Sequence, residues 1–210
     1  NPNYYLFKEG ILVNGNSNLR MWHSQVSILP LSFDAGFCIH HLSSQYSQAH
    51  NCFFSSSSSS IQAEAGFVNL YNCQTVGGVR AYGASKLKHV NSFRDGRFIA
   101  HDTAQMWVTG MKWGERSGIN VLFEIYDTSK VVVANSKAGI TDDVSWVVLV
   151  NSTNAIFKAY NSEFISLGSG ATITGVPNAT VYLYYSVLNK NADTVTVSPD
   201  SNYKVTANAE

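Results

Sequence analysis

Short stretches in which apolar and polar residues alternate constrain this chain more than any other feature. "INVLFEIYD" places Ile119, Val121, Phe123 and Ile125 on one side of the backbone. A period of two residues is that of a half-buried strand, and no stretch shows the i, i+3, i+4, i+7 spacing of an amphipathic helix. We therefore predict an all-β chain with less than about 10% helix, against roughly 30% in ordinary soluble domains.

Turn-forming residues separate these stretches at intervals of roughly 8–12 residues. "TVYLYYSVL" alternates in the same way, and "VSWVVLV" is apolar on both sides, as in a strand buried from both faces. A self-similar unit of about 34–50 residues, as in common solenoids and propellers, is not recognisable. Frequent strands with turns between them predict an antiparallel β-sandwich or jelly-roll-like fold.

The first 60 residues are less regular than the rest. "YYLFKEGILVNGNSN" predicts a hairpin, and "SSSSSS" at 55–60 predicts a solvent-facing loop, with an interdomain linker or a strand of small residues as alternatives. We predict a hairpin and loop region at 1–60 and a β-sandwich at 61–210, or one continuous domain over 1–210. The chain starts at Asn1 and not at methionine, which indicates a processed or excerpted chain.

Charged residues are few and balanced. Lys and Arg number 14, Asp and Glu number 14, and together they make up 13% of the chain, against about 25% in soluble domains generally. They are scattered along the sequence, so we expect neither a basic stripe that binds nucleic acid nor insertion into a membrane, for which about 20 apolar residues in a row are needed.

"FCIHHLSSQYSQAHNC" contains four potential metal ligands, Cys38, His40, His50 and Cys52. Zn²⁺ accepts two cysteines and two histidines, and a hairpin in the right register would bring the four together. A Cys-x-His pair on a flat strand, however, holds its side chains nearly parallel. We predict buried thiols and polar histidines, with a Cys52–Cys73 or Cys38–Cys52 disulfide as a variant, and neither a metal nor another cofactor.

Catalytic motifs are weak. The chain lacks a G-x-S-x-G nucleophile turn. Glu124 with Asp102, Asp142 or Asp143 would supply the carboxylate pair of a glycoside hydrolase, but solvated loop carboxylates are the simpler interpretation. We predict no catalytic residue and a non-enzymatic protein.

Aromatic residues supply the candidate binding site. In "QMWVTGMKWGERSG" we assign Trp107 to the core and Trp113 to an exposed strand end, where neighbouring charged residues would bind sugar hydroxyls while the ring stacks on the sugar. Tyrosines near the C-terminus would add surface contacts or a seam between subunits. The predicted ligand-binding residues are Trp113, Lys112, Glu115, Arg116 and Tyr184.

"NYYLFKEGILVNG" and the C-terminal "YYSVLNKNADTVTVSPDSNYKVT", in a charge-poor chain rich in Tyr and Asn, resemble segments of bacteriophage tail-fibre, baseplate-adhesin and other virion-surface proteins. The resemblance implies a sandwich or jelly-roll head that forms trimers and recognises a cell-surface glycan or protein without a cofactor. It implies a location on the virion or outside the cell.

We therefore expect a structural or adhesive virion protein, such as a phage tail fibre or receptor-binding head. The alternatives are a secreted carbohydrate-binding module or glycoside hydrolase, and a capsid or tail decoration protein. The low charge, zero net charge and scarcity of residues that guard strand edges favour self-association. We expect a homotrimer whose interface includes residues 182–187, and other virion proteins as partners.

Overall fold

The described part of the chain folds into strands that pair in parallel. The computed structural model describes residues 9–28, 36–91, 96–112, 121–140, 146–166, 172–176 and 179–190, and these contain no α-helix. The strands are β1 (Glu9–Val13), β2 (Arg20–Trp22), β3 (Gln25–Ile28), β4 (Phe37–His41), β5 (Tyr46–His50), β6 (Phe53–Ala63), β7 (Phe67–Tyr71), β8 (Gln74–Ala81), β9 (Lys86–Val90), β10 (Phe98–Ala100), β11 (Gln105–Thr109), β12 (Val121–Ile125), β13 (Lys130–Ala134), β14 (Lys137–Ile140), β15 (Trp146–Val150), β16 (Ile156–Tyr160), β17 (Glu163–Ser166), β18 (Ile173–Gly175), β19 (Thr180–Tyr184) and β20 (Val187–Lys190).

These strands form the sides of a β-solenoid. Sheet A has the order β1-β4-β6-β8-β10-β12-β15-β18, with β3 also paired to β6; sheet B is β19-β16-β13-β11-β9-β7-β5-β2, and sheet C is β14-β17-β20. Each turn of the chain adds one strand to sheet B, so its eight strands mark eight coils. At about 4.8 Å per coil, the stack is roughly 35–40 Å long. The all-β, helix-poor prediction is confirmed, but the antiparallel β-sandwich or jelly roll is wrong.

Apolar side chains at matching positions of successive coils form the core. One column through sheet A is in register from coil to coil and consists of Ile39, Ile61, Val79, Phe98, Phe123, Val148 and Ile173. A single coil cannot bury its own apolar face, so each one depends on the coils above and below it. Parallel pairing follows from this winding, because each coil repeats the path of the coil before it. Every strand of a sheet therefore runs in the same direction as its neighbours.

Four phenylalanines form a cluster within the core. The ring of Phe123 lies 5.1 Å from that of Phe98, 6.0 Å from Phe157 and 6.5 Å from Phe164, measured between centroids. All four side chains are fully buried. Edge-to-face and offset contacts at these distances add to the stabilisation from area burial.

The corner that follows sheet B is built from a left-handed backbone. Its φ values lie between 45° and 68° in every coil, at His23, Asn51, Asn72, Asn91, Gly110, Asn135, Asn161 and Tyr185. Asparagine and glycine adopt this conformation most readily. The Asn side chains also stack: the Nδ2 groups of Asn72, Asn91 and Asn161 donate to the Oδ1 atoms of the asparagines one coil below at 3.2, 3.0 and 3.0 Å.

The residue after this corner satisfies backbone groups inside it. The hydroxyl of Ser162 donates to the carbonyl of Tyr160 (2.8 Å) and accepts from the amide of Ser136 (3.2 Å), and Ser136 and Ser186 repeat the pattern. In two other coils a cysteine takes this position. The repeated corner therefore combines an asparagine that adopts the turn with a small polar residue that caps it.

Three predictions about the N-terminal part can be compared with these strands. The serine run is not a loop, because residues 55–60 lie within β6. The boundary predicted at residue 60 falls inside that strand, and sheet A continues on both sides of it. Part of the hairpin predicted for "YYLFKEGILVNGNSN" lies outside the described residues, and β1 pairs in parallel with β4.

Candidate functional site

The outer face of sheet B is lined by long aromatic, basic and amide side chains. Alternation within each strand sends one set of residues into the core and the other set outward. In β9, for example, Leu87 and His89 are fully buried, whereas Lys86, Lys88 and Val90 face outward. Because neighbouring strands are in register, outward residues from coils about 20 positions apart become neighbours.

Three adjacent strands of this face form an open cleft. Its volume is about 320 Å³, and its lining residues are Phe67, Asn69, Lys86, Lys88 and Trp107. The Phe67 ring is 44% exposed, and the ammonium of Lys86 lies 4.9 Å from its centroid. A partly exposed ring at each side, with amide and ammonium groups between, is suited to a ligand that has both apolar faces and polar groups.

Hydrogen bonds hold the floor of the cleft in place. The Asn69 Nδ2 donates to the hydroxyls of Tyr46 (2.9 Å) and Tyr71 (3.3 Å), and the Tyr46 hydroxyl donates to Gln48 Oε1 at 3.1 Å. Burial, together with the neighbouring Tyr46, raises the pKa of Tyr71. The Tyr71 phenol therefore remains a neutral hydrogen-bonding group near pH 7.

Stacked rings extend the face toward both ends of the solenoid. In the first coils His50 lies between Trp22 and Tyr71, with centroid distances of 5.9 and 4.7 Å. In the last coils Tyr160 and Tyr184 stack at 4.7 Å. These rings follow one outward column of sheet B, because the in-register strands place side chains directly above one another.

The predicted binding residues are divided by the structure. Trp113, Glu115 and Arg116 lie outside the described residues. Lys112 is exposed, and its backbone forms an isolated parallel β-bridge with Lys137 of sheet C. Tyr184 lies on the outer face of sheet B. Lys112 and Tyr184 are thus on different sides of the solenoid.

Trp107, which the sequence assigned to the core, faces outward and lines the cleft. Its neighbours Met106 and Val108 are fully buried instead. Within β11 the outward Trp107 alternates with the buried Met106 and Val108, so the assignment of this ring to the core is wrong. Leu87 and Val131 lie beside Met106 on the buried side of the neighbouring strands, and Lys88 and Val132 lie beside Trp107 on the outward side.

The four potential metal ligands are not brought together. β4 carries Cys38 and His40 in sheet A, and β5 carries His50 in sheet B. His40 Nε2 lies 2.7 Å from Glu64 Oε1, and His50 is part of the aromatic stack. Among the described residues no group of three or more His, Cys, Asp or Glu side chains is arranged to hold a metal ion.

The cysteines are buried free thiols rather than a disulfide pair. Burial raises the pKa of Cys38 and of Cys73 to about 11 in each case. Cys52 Sγ donates to the carbonyl of His50, and Cys73 Sγ to that of Tyr71. Cys52 and Cys73 occupy the capping position that serine takes in other coils.

Two of the four carboxylates considered for hydrolysis, Glu124 and Asp102, have structural partners. Glu124 is 4% exposed and is bound by the Arg97 guanidinium and, at 2.9 Å, by the Tyr126 hydroxyl. Asp102 Oδ2 accepts the Gly83 amide at 2.8 Å in a turn. Asp142 and Asp143 lie outside the described residues. These contacts explain the burial of Glu124 without a catalytic role.

No described helix could span a membrane. Comparisons of the chain with protein-family models, with curated proteins and with solved structures found no match.

Proposed function

We propose that this protein is a non-enzymatic adhesive component of a virion surface, such as a phage tail fibre or receptor-binding part, and that it binds a host-cell glycan in the cleft on sheet B. The observation that carries this proposal is that Phe67 and Trp107 line the same cleft, together with Asn69 and two lysines. Sugars present apolar faces to aromatic rings and hydroxyls to amide groups.

The shape of the fold suits this role. A β-solenoid is an elongated rod in which every coil is tied to the next by backbone hydrogen bonds, so a ligand can lie along several coils on a rigid surface. The face is built on strands rather than loops, and hydrogen bonds join Asn69, Tyr46 and Gln48 beside the cleft. Rigid presentation reduces the entropic cost of binding.

Self-association belongs to the same proposal. Tyr160 and Tyr185 are 38% and 69% exposed at the C-terminal end of the described chain, away from the cleft. We place the predicted trimer seam there, around residues 182–187, with other virion proteins as further partners. Light scattering should give a trimer, and Tyr184→Lys should dissociate it; a monomer of 23.0 kDa at micromolar concentration would contradict the seam.

Glycan binding can be tested with a matched pair of tryptophan variants. Trp107→Ala removes a ring of the cleft, whereas Trp146→Ala removes a 36% exposed ring from sheet A. On a glycan array Trp107→Ala should lose binding by about tenfold, from an aromatic contact of about 0.5–1.5 kcal/mol plus lost contact area. Trp146→Ala should bind as the unmodified protein does.

Two outcomes would overturn the proposal. Equal binding by both variants would remove the cleft from the site. Release of shorter sugars from bound glycans, detected by mass spectrometry, would show an enzyme rather than an adhesin.

A further inference from the structure

The outer face of sheet B is basic, although the chain as a whole has a net charge of zero. Every residue of the eight strands of this sheet is described, and their outward positions carry no Asp or Glu. The basic residues at outward positions are Arg20, Lys86, Lys88, Lys130 and Lys158. Five of the 14 basic residues of the chain are thus brought to one face by the coiling.

Acidic side chains are engaged elsewhere. Among the described residues, the ion pairs join Glu64 to His40, Glu124 to Arg97, Asp127 to His101 and Glu163 to Lys137. None of these pairs includes a side chain from the outer face of sheet B. Two cations of this face lie over rings of the same face instead, Lys86 over Phe67 at 4.9 Å and Lys158 over Tyr182 at 4.8 Å from the ring centroids, so their charge is not matched by a carboxylate.

The spacing of the basic residues follows the solenoid axis. Lys86 and Lys130 share one outward column and are two strands apart, and Lys88 and Lys158 share the next column and are three strands apart. At about 4.8 Å per strand, these separations are roughly 10 and 14 Å. Trp107 lies one strand beyond Lys88, so an aromatic surface is interleaved with the charges.

We infer that the ligand is a linear acidic glycan, whose carboxylates contact these lysines while its sugar rings stack on Phe67 and Trp107. The inference rests on the proposed glycan-binding function and adds the charge of the ligand. A polymer whose charges recur along its length matches cations that recur along the axis, whereas a compact anion would contact only one or two of them. Lysine ammonium groups bind such carboxylates as point charges.

A single-stranded nucleic acid is the competing ligand, because it too combines negative charge with stacking. The face favours a glycan for two reasons. The two rings that line the cleft, Phe67 and Trp107, lie two strands apart with lysines on the strand between them, and neutral amide groups at Gln48, Asn69 and Gln105 lie in the same and neighbouring columns, where they can bind hydroxyls.

The test uses polygalacturonate and the same polymer after reduction of its carboxyl groups, so that the two probes differ only in charge. Titration calorimetry should show binding of polygalacturonate and little binding of the reduced polymer. Raising the ionic strength from about 0.01 M to about 0.1 M shortens the Debye length from about 30 to about 10 Å and should weaken binding.

Matched variants locate the charge. Lys88→Gln removes one positive charge from sheet B and should weaken binding of polygalacturonate up to about fivefold, as expected for one exposed ionic contact. The double variant Lys86→Gln/Lys88→Gln should weaken it up to about 25-fold if the two contacts are independent. Lys137→Gln makes the same charge change on sheet C and should leave binding unchanged.

The possible results separate this inference from the proposed function. Equal binding of the charged and reduced polymers would overturn the acidic ligand and keep a glycan-binding protein. Binding of neither polymer, together with a negative glycan array, would overturn both. Tighter binding of a single-stranded oligonucleotide than of any glycan would also overturn both.

Discussion

Replacing Asn72 tests whether the asparagine corner stabilises the solenoid as its geometry indicates. Asn72 has φ of 52°, accepts a hydrogen bond from Asn91 and donates one to Asn51. Asn72→Ala loses both bonds, worth about 0.5 kcal/mol each at an exposed site. It also places a residue with a Cβ and no compensating polar group in the left-handed region, which costs about 1–2 kcal/mol. We expect the free energy of unfolding to fall by about 2–3 kcal/mol.

Asn72→Gly separates the two contributions. Glycine loses the same hydrogen bonds but adopts the left-handed backbone freely, so it should be about 1 kcal/mol more stable than the alanine variant, less any loss from a more flexible unfolded chain. Urea unfolding followed by both fluorescence and circular dichroism gives the free energies, provided that the two transitions coincide. The control is Asn154→Ala, at an exposed turn position, which should change stability by less than about 0.5 kcal/mol. Surface substitutions usually change the free energy of unfolding by no more than about 0.5 kcal/mol. If Asn72→Ala changes it by no more than that, this account of the corner is refuted.

Three further predictions concern the interior. Phe123→Ala should lower the free energy of unfolding by about 3–5 kcal/mol in the same urea assay, because it empties the centre of the phenylalanine cluster; a loss below about 1 kcal/mol would mean that the cluster is not closely packed. Burial lowers the pKa of His41, whose Nδ1–H donates to the Ala65 carbonyl while its Nε2 accepts from Ser47. The unfolded chain therefore takes up a proton near pH 6.5 that the folded chain resists, so stability should fall as the pH is lowered from 7.5 to 5.5; His41→Gln should flatten that dependence, and an unchanged slope would exclude His41 as its source. The raised pKa values of Cys38 and Cys73, about 11 for each, predict that Ellman's reagent at pH 8 labels them only after unfolding; rapid labelling of the folded protein would contradict their burial.

The sequence was sufficient for the class of structure but not for its pairing. A two-residue period indicates strands whether their neighbours run parallel or antiparallel, since both arrangements alternate side chains in the same way. The repeat was also concealed by its irregular length. Equivalent core positions are 22 residues apart from Ile39 to Ile61, 18 from Ile61 to Val79 and 25 from Phe98 to Phe123.

The sequence contains one local signal of the coils, a recurring pair of residues at the corner after sheet B. Asparagine followed by serine or cysteine recurs at 51–52, 72–73, 91–92, 135–136 and 161–162. Each asparagine adopts the left-handed corner, and where the following residue is described it caps that corner. Successive pairs are 21, 19, 44 and 26 residues apart, and the long gap contains the coil in which Gly110 takes the corner. Pairs that recur about once per coil are characteristic of a stacked repeat.

The alternating pattern by itself determined that this chain forms strands with one apolar side, because burying that side is the only way to remove it from water. Only the tertiary structure decided which distant residues share a surface. Phe67, Lys88 and Trp107 are about 20 positions apart along the chain and individually ordinary, yet consecutive coils place them in one cleft. The same coiling gathers scattered lysines onto sheet B, because position around the coil, and not position along the sequence, determines which charges are neighbours.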